Sequence, residues 1–300
     1  MINGVIIVKK EKGFTSHDVV AKLRGIVKQK KIGHTGTLDP EAEGVLPVCL
    51  GNATKLCDIL TDKTKEYVAE LLLGITTDTQ DMTGRILAER EVQADEKQVE
   101  EAILSFLGSS LQVPPMYSAL KINGKKLYEL AREGKEVERK PRPIEVYELQ
   151  ILSMDLPVVK FRVLCSKGTY IRSLCADIGE KLSCGGCMKS LMRTKAGEFS
   201  IEDAHTLSQI EEKRDTGHLD ELVIPVDRLF PSYRKITVNA HSDRLLENGN
   251  VCPAELLGER GRDGEKVLLY HSSGVFYGIY TYEEASMLYK PYKMFLPKES

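Results

Sequence analysis

Apolar residues recur in this chain with two different periods, and the segments that carry them are interleaved irregularly. Strand-length apolar runs begin at Val5 to Val8 and continue at Val45 to Leu50, Tyr67 to Leu73, Glu145 to Leu152 and Val158 to Ser166. Other stretches carry helical spacing. Val19, Val20, Leu23, Ile26 and Val27 predict a helix begun by Ser16, with Thr15 or Ser16 as its cap. Lys28-Gln29-Lys30-Lys31 closes it with the positive charge a helix C-terminus favours. A second helix is expected from Asp95 to Leu107. A third comes after Gly168, capped by Thr169, with Ile171, Leu174, Ile178 and Leu182 on one face. A parallel α/β sheet demands regular strand and helix alternation; its absence predicts an α+β fold.

Three hundred residues suit one large domain and one small one. Composition shifts at Pro225 to Pro231. Beyond it the apolar segments are short, strand-like and punctuated by glycine: Ile236 to Asn239, Lys266 to His271, Gly274 to Tyr280. The expected division is therefore a domain over 1–230 and a small β-rich domain over 231–300. No apolar run is long enough to span a bilayer, and the N-terminus lacks the basic start and cleavage site of a signal peptide. The expectation is a cytoplasmic protein without a membrane partner.

Seven cysteines, an odd number, sit mostly in apolar segments and read as reduced core thiols. Cys184 and Cys187 have the spacing of a metal knuckle, but no second pair of cysteines or histidines completes four ligands. No metal is expected.

The net charge of −2 conceals a polarised distribution. Lys9 to Lys31 holds eight Lys or Arg against two acids, and Lys121 to Arg142 eight against four. Glu202 to Arg228 reverses the balance, with eight acids against three bases. Two basic segments beside an acidic one suit a protein that grips a polyanion along one face.

Two constellations carry possible chemistry. In Gly33-His34-Thr35-Gly36-Thr37-Leu38-Asp39-Pro40, part of a Gly-rich loop from Gly33 to Gly44, two glycines bracket a histidine and a proline keeps Asp39 out of helical geometry. In Ser166-Lys167-Gly168-Thr169-Tyr170-Ile171-Arg172, Arg172 falls in the first turn of the expected helix. A cation is disfavoured there, so an anionic partner such as Asp39 or a phosphate is expected.

The string GHTGTLDPEAEGVLPVCLG from Gly33 to Gly51 resembles the signature of the TruB family of tRNA pseudouridine synthases. The Lys9 to Asp18 segment, Lys65-Glu66-Tyr67, Val113 to Lys121, Leu127 to Arg132, Gly168 to Leu174 and Leu191 to Thr194 resemble further family segments, in order, over roughly residues 3 to 230. The C-terminal seventy residues resemble, more weakly, the PUA RNA-binding domain. Two departures stand out: Glu11 replaces a common proline, and Glu41-Ala42-Glu43 is unusually acidic.

The resemblance implies a mixed, largely antiparallel sheet of the pseudouridine synthase type, with an inserted RNA-gripping arm at about 111–143. It implies isomerisation of uridine 55 in the tRNA T-loop by base flipping, with Asp39 as the essential carboxylate and no cofactor. Arg172 is expected to keep Asp39 ionised by lowering its pKa. Tyr67 is expected to stack on the base and take part in removing its C5 proton, Leu191 to wall the pocket, and His34 to fill the gap the base leaves. Tyr170 and Arg193 join the substrate-binding set. Lys10, Lys121, Lys125, Lys126, Arg139, Lys140 and Arg142 are expected on phosphates. The expected partner is the T-arm stem-loop of tRNA, without guide RNA or an obligatory protein partner. An alternative is a non-catalytic RNA-binding protein or tRNA-folding chaperone, in which Asp39 is idle.

Overall fold

The computed structural model describes residues 1–122 and 124–296. Nine strands form one sheet. Its main path runs Gly4–Lys10, Glu43–Leu50, Gly186–Ala196, Lys65–Leu73, Val158–Cys165, Arg142–Asp155 and Gly108–Gln112. The short strands Ile32–His34 and Phe199–Ser200 pair beside this path. Every pairing is antiparallel except one, where Met192 and Arg193 run parallel to Glu43 and Gly44. There the two backbones nearly touch: a Cβ on Gly44, at φ +107°, would stand 2.2 Å from the Arg193 carbonyl oxygen. Glycine is required at this position for both reasons.

One face of the sheet is covered by the helices Glu96–Leu104 and Ile171–Lys181, which bury Leu71, Val146, Phe161 and Val163 against Val99, Leu174 and Ile178. The helices Ser16–Val27 and Leu207–Asp215 cover the first two strands of the path, enclosing Ile6, Leu46 and Val48 with Val19, Leu23 and Ile210. Thr15 caps the first helix in a reciprocal box with Asp18. Ser16 is already helical, which leaves its hydroxyl free to accept from the Leu38 amide. Thr169 is not the cap expected of it: the helix begins at Ile171, and the Thr169 hydroxyl donates to the Ser166 carbonyl instead. The helix expected from Asp95 starts at Glu96 and ends at Leu104, short of Leu107.

The arm between Gln112 and Arg142 holds a hairpin, Lys121–Ile122 with Lys125–Lys126, and one helix, Leu127–Arg132. Beyond it, five strands form a second sheet in the order Arg234–Thr237, Lys266–Tyr270, Phe276–Glu283, Leu288–Met294, Cys252–Pro253. It has its own apolar cluster around Val267, Tyr280 and Tyr289. Its Leu268, Ile279 and Phe295 also pack with Val5, Cys49, Leu56 and Phe230, so the two sheets meet across apolar side chains. Lys293 with Asp58 at 2.7 Å and the Tyr270 hydroxyl donating to Asp227 at 2.8 Å add polar ties. Among the described residues no helix is long and apolar enough to cross a membrane.

Candidate active site

Asp39 stands in the loop between the paired strands Ile32–His34 and Glu43–Leu50. The stretch from Gly33 to Gly44 is thus only partly loop, with His34 at the end of a strand. The loop is held from several sides. The amide of Leu38 donates to the Ser16 hydroxyl at 2.9 Å, that of Gly13 to the Pro40 carbonyl at 2.9 Å, and that of Thr35 to the Pro47 carbonyl at 3.0 Å. Lys10 is fully buried beneath it and donates from Nζ to the carbonyls of Glu11, Pro40 and Ala42 at 3.1, 3.0 and 2.5 Å. Burial lowers its pKa to about 8. The expected phosphate contact is therefore corrected: the amine is buried, enclosed by carbonyls, and braces the Asp39 loop.

Arg172 is buried, and its Nε lies 2.9 Å from Asp39 Oδ2, with Nη2 3.3 Å from Oδ1. The same Nη2 donates to the Tyr117 carbonyl at 2.7 Å, and Nη1 to the Thr79 carbonyl at 3.0 Å. A second carboxylate, Asp81, lies 3.8 Å from Nη1. Burial pushes the Asp39 carboxyl above the ordinary value, against the pull of Arg172, and Asp81 adds to the upward push. Arg172 pulls this pKa down as expected, but the opposing push of burial is larger and the net shift is upward. Arg172 limits the rise.

Two cavities meet at Asp39. The inner one, about 460 Å³, is lined by Tyr67, Tyr170, Leu191, Arg193 and Lys65. Burial raises the Tyr67 phenol, with the Arg193 guanidinium beside it opposing the shift. Arg193 is itself buried and donates to the Val45 carbonyl at 2.7 Å and the Gly36 carbonyl at 3.3 Å. It holds the Asp39 loop against the sheet as well as lining the cavity.

The outer cleft, about 710 Å³, runs from His17 and His34 past the Thr79 to Arg85 turn to Ser118, Lys126, Tyr128 and Arg132 of the arm. His34 meets His17 edge to face at 5.6 Å, and its Nδ1 is buried without a hydrogen-bond partner among the described residues. Burial, then His17 and Arg193, lower its pKa. Lys121 and Arg142 are exposed on the arm and at its root, outside both linings. Of the remaining expected arm cations, Lys125 pairs with Glu133 at 3.7 Å. Arg139 is bonded to Pro114 and Glu136. Lys140 is exposed.

Asp81 was not among the residues expected at the site. Its signal was the polar turn Thr79-Gln80-Asp81-Met82-Thr83, in which Asp81 Oδ1 accepts from the hydroxyls of Thr79 and Thr83 at 2.7 and 2.6 Å. All seven cysteines are free thiols, and among the described residues no three His, Cys, Asp or Glu gather as metal ligands.

Residues 24–171 match the family model "TruB family pseudouridylate synthase (N terminal domain)", and residues 172–231 match "tRNA pseudouridylate synthase B C-terminal domain". The tRNA pseudouridine synthase B of Lachnoclostridium phytofermentans is 54% identical, covering 98% of this chain and 100% of its own. That of Bacillus subtilis is 40% identical over 99% of each. Among solved structures, a Cbf5-Nop10-Gar1 complex is similar with a TM-score of 0.72 at 27% identity, over 98% of this chain and 85% of the other. An H/ACA RNP bound to a substrate RNA containing 2′-deoxyuridine gives 0.71 at 25% identity, over 99% and 86%.

Proposed function

The chain belongs to the TruB family of pseudouridylate synthases, and on that premise we propose that it isomerises uridine to pseudouridine at position 55 in the tRNA T-loop. The observation that carries the reading is the Asp39 carboxylate, clamped by Arg172 where a Tyr67-lined cavity opens into a cleft under a basic arm.

The reaction breaks the bond between uracil N1 and ribose C1′, turns the base, and joins C5 to C1′. The C5 proton leaves to solvent and N1 gains one, so atoms balance without a cofactor. The uridine flips into the inner cavity, at a cost of a few kcal/mol offset by stacking and polar contacts. Tyr67 and Leu191 contact the base on this reading, and Tyr67 takes part in removing the C5 proton. Asp39 opens the sequence, ionised, from the ribose side of the pocket. His34 fills the gap the base leaves in the T-loop. The arm over 111–143 closes on the stem-loop, with Lys121, Arg142 and their neighbours on phosphates, which contribute affinity and not sequence choice. Residues 1–230 act as the catalytic domain, and 231–300 as a PUA-like domain that binds RNA. The tRNA T-arm alone is the partner, without guide RNA or an obligatory protein, in the cytoplasm.

Unmodified tRNA incubated with the protein and mapped for pseudouridine by carbodiimide adducts tests this. One new modification at position 55 is expected. Modification only elsewhere, or none, contradicts it.

A further inference from the structure

Six residues line both cavities: Thr37, Leu38, Asp39, Ser118, Ala119 and Arg172. They form the rim that a nucleotide straddles when its base is inside and its backbone outside. Asp39 and Arg172 already bond each other, and Thr37 is exposed to water. Ser118 differs. It is 5% exposed, yet its hydroxyl has no hydrogen-bond partner among the described residues. Its polar neighbour is the Tyr170 phenol, whose rise in pKa on burial the Ser118 hydroxyl opposes. A buried hydroxyl left unpaired is costly and calls for an explanation.

Its backbone is not loose. The Ser118 amide donates to the Met116 carbonyl at 2.9 Å, and its carbonyl accepts from the Tyr128 amide at 3.1 Å. The preceding carbonyl, that of Tyr117, is held at 2.7 Å by the same Arg172 Nη2 that reaches Asp39. The hydroxyl is therefore kept in register with the carboxylate.

We propose that Ser118 is a substrate-positioning residue whose hydroxyl binds the 2′-hydroxyl of the uridine being isomerised. This rests on the pseudouridine synthase reading of the site. A base against Tyr67 and Leu191 puts its ribose at the shared rim, because Asp39 acts there and the bond that breaks is at C1′. A serine hydroxyl both donates and accepts, as a ribose hydroxyl does. The contact makes the arm test for RNA at the target nucleotide, since the 2′-hydroxyl is what separates RNA from DNA there.

The test uses two T-arm RNAs that differ only in uridine or 2′-deoxyuridine at the target. Dissociation constants are measured in an Asp39→Asn background, so neither RNA turns over, with Ser118, Ser118→Ala and Ser118→Thr. Ser118→Ala is expected to weaken the uridine RNA by about tenfold, a typical loss for one buried hydrogen bond. It leaves the 2′-deoxyuridine RNA within about twofold, which also shows an intact arm, and Ser118→Thr keeps the preference for uridine. Equal losses on both RNAs, or no loss on either, overturn the assignment. Turnover of the uridine RNA by the protein with Asp39 intact is measured alongside. Turnover without this coupling overturns the Ser118 contact alone; neither turnover nor coupling overturns the reading of the site as well.

Discussion

Arg172 grips Asp39 side by side, Nε on Oδ2 at 2.9 Å and Nη2 on Oδ1 at 3.3 Å, from a position that is itself buried. The pairing sets a balance: burial favours the protonated acid, the guanidinium the carboxylate. If Asp39 acts ionised, as proposed, the rate should fall as pH drops through a value above the ordinary 3.8. Arg172→Lys keeps a charge but loses the fork. It should cost about 10²–10³-fold in single-turnover rate, as loss of a preorganised donor does, and move the acid limb to higher pH. A pH–rate profile of the two proteins checks both.

Tyr67 faces the inner cavity with a phenol that burial keeps protonated. Tyr67→Phe retains the ring and loses the hydroxyl. Binding of T-arm RNA should stay within about threefold, since stacking is the ring's contribution. Turnover should fall by about 10²–10⁴-fold, the range for loss of a proton-transfer group. Filter binding and single-turnover kinetics on one preparation separate the two.

Lys10 and the arm cations should part company in salt. Each phosphate contact contributes about one unit to the slope of log affinity against log salt. Lys121→Ala and Arg142→Ala should each flatten that slope by about one. Lys10→Ala should leave it unchanged and lower turnover, because its amine is buried and donates to the carbonyls of Glu11, Pro40 and Ala42. Titrations at several salt concentrations read this directly.

His34 resists protonation in the fold, while its ordinary value is 6.5. The unfolded chain therefore takes up a proton as pH falls below about 6.5 that the native one does not, and stability drops with it. Melting temperatures between pH 7 and 5 should fall less steeply for His34→Gln than for the parent. His34→Ala should slow turnover by about tenfold, far less than Asp39→Asn.

Parts of this structure were legible in the sequence for identifiable reasons. The Ser16–Val27 helix announced itself through unbroken 3.6-residue spacing, and Lys65–Leu73 through an apolar run that glycine stops. The Gly186–Ala196 strand was missed although it lies between Glu43–Leu50 and Lys65–Leu73 in the sheet. Irregularities between Met188 and Ser190 and between Arg193 and Lys195 break its two-residue alternation, so no periodicity betrays it. The partnership of Asp39 with Arg172 was foreseeable because a cation in a helix's first turn needs an anion. The burial of Lys10 was not: only the return of the Pro40 and Ala42 carbonyls over the first strand turns a surface-looking lysine into a brace.

Everything proposed for the site turns on Asp39 initiating isomerisation of a T-loop uridine. The most direct measurement is tritium released to water from T-arm RNA labelled at C5 of the target uridine, with the parent protein and with Asp39→Asn. Stoichiometric release is expected from the parent, and a rate lower by about 10⁴-fold or more from the variant, at undiminished RNA binding. Release by Asp39→Asn at a comparable rate, or none by a parent that binds the RNA, would contradict that role.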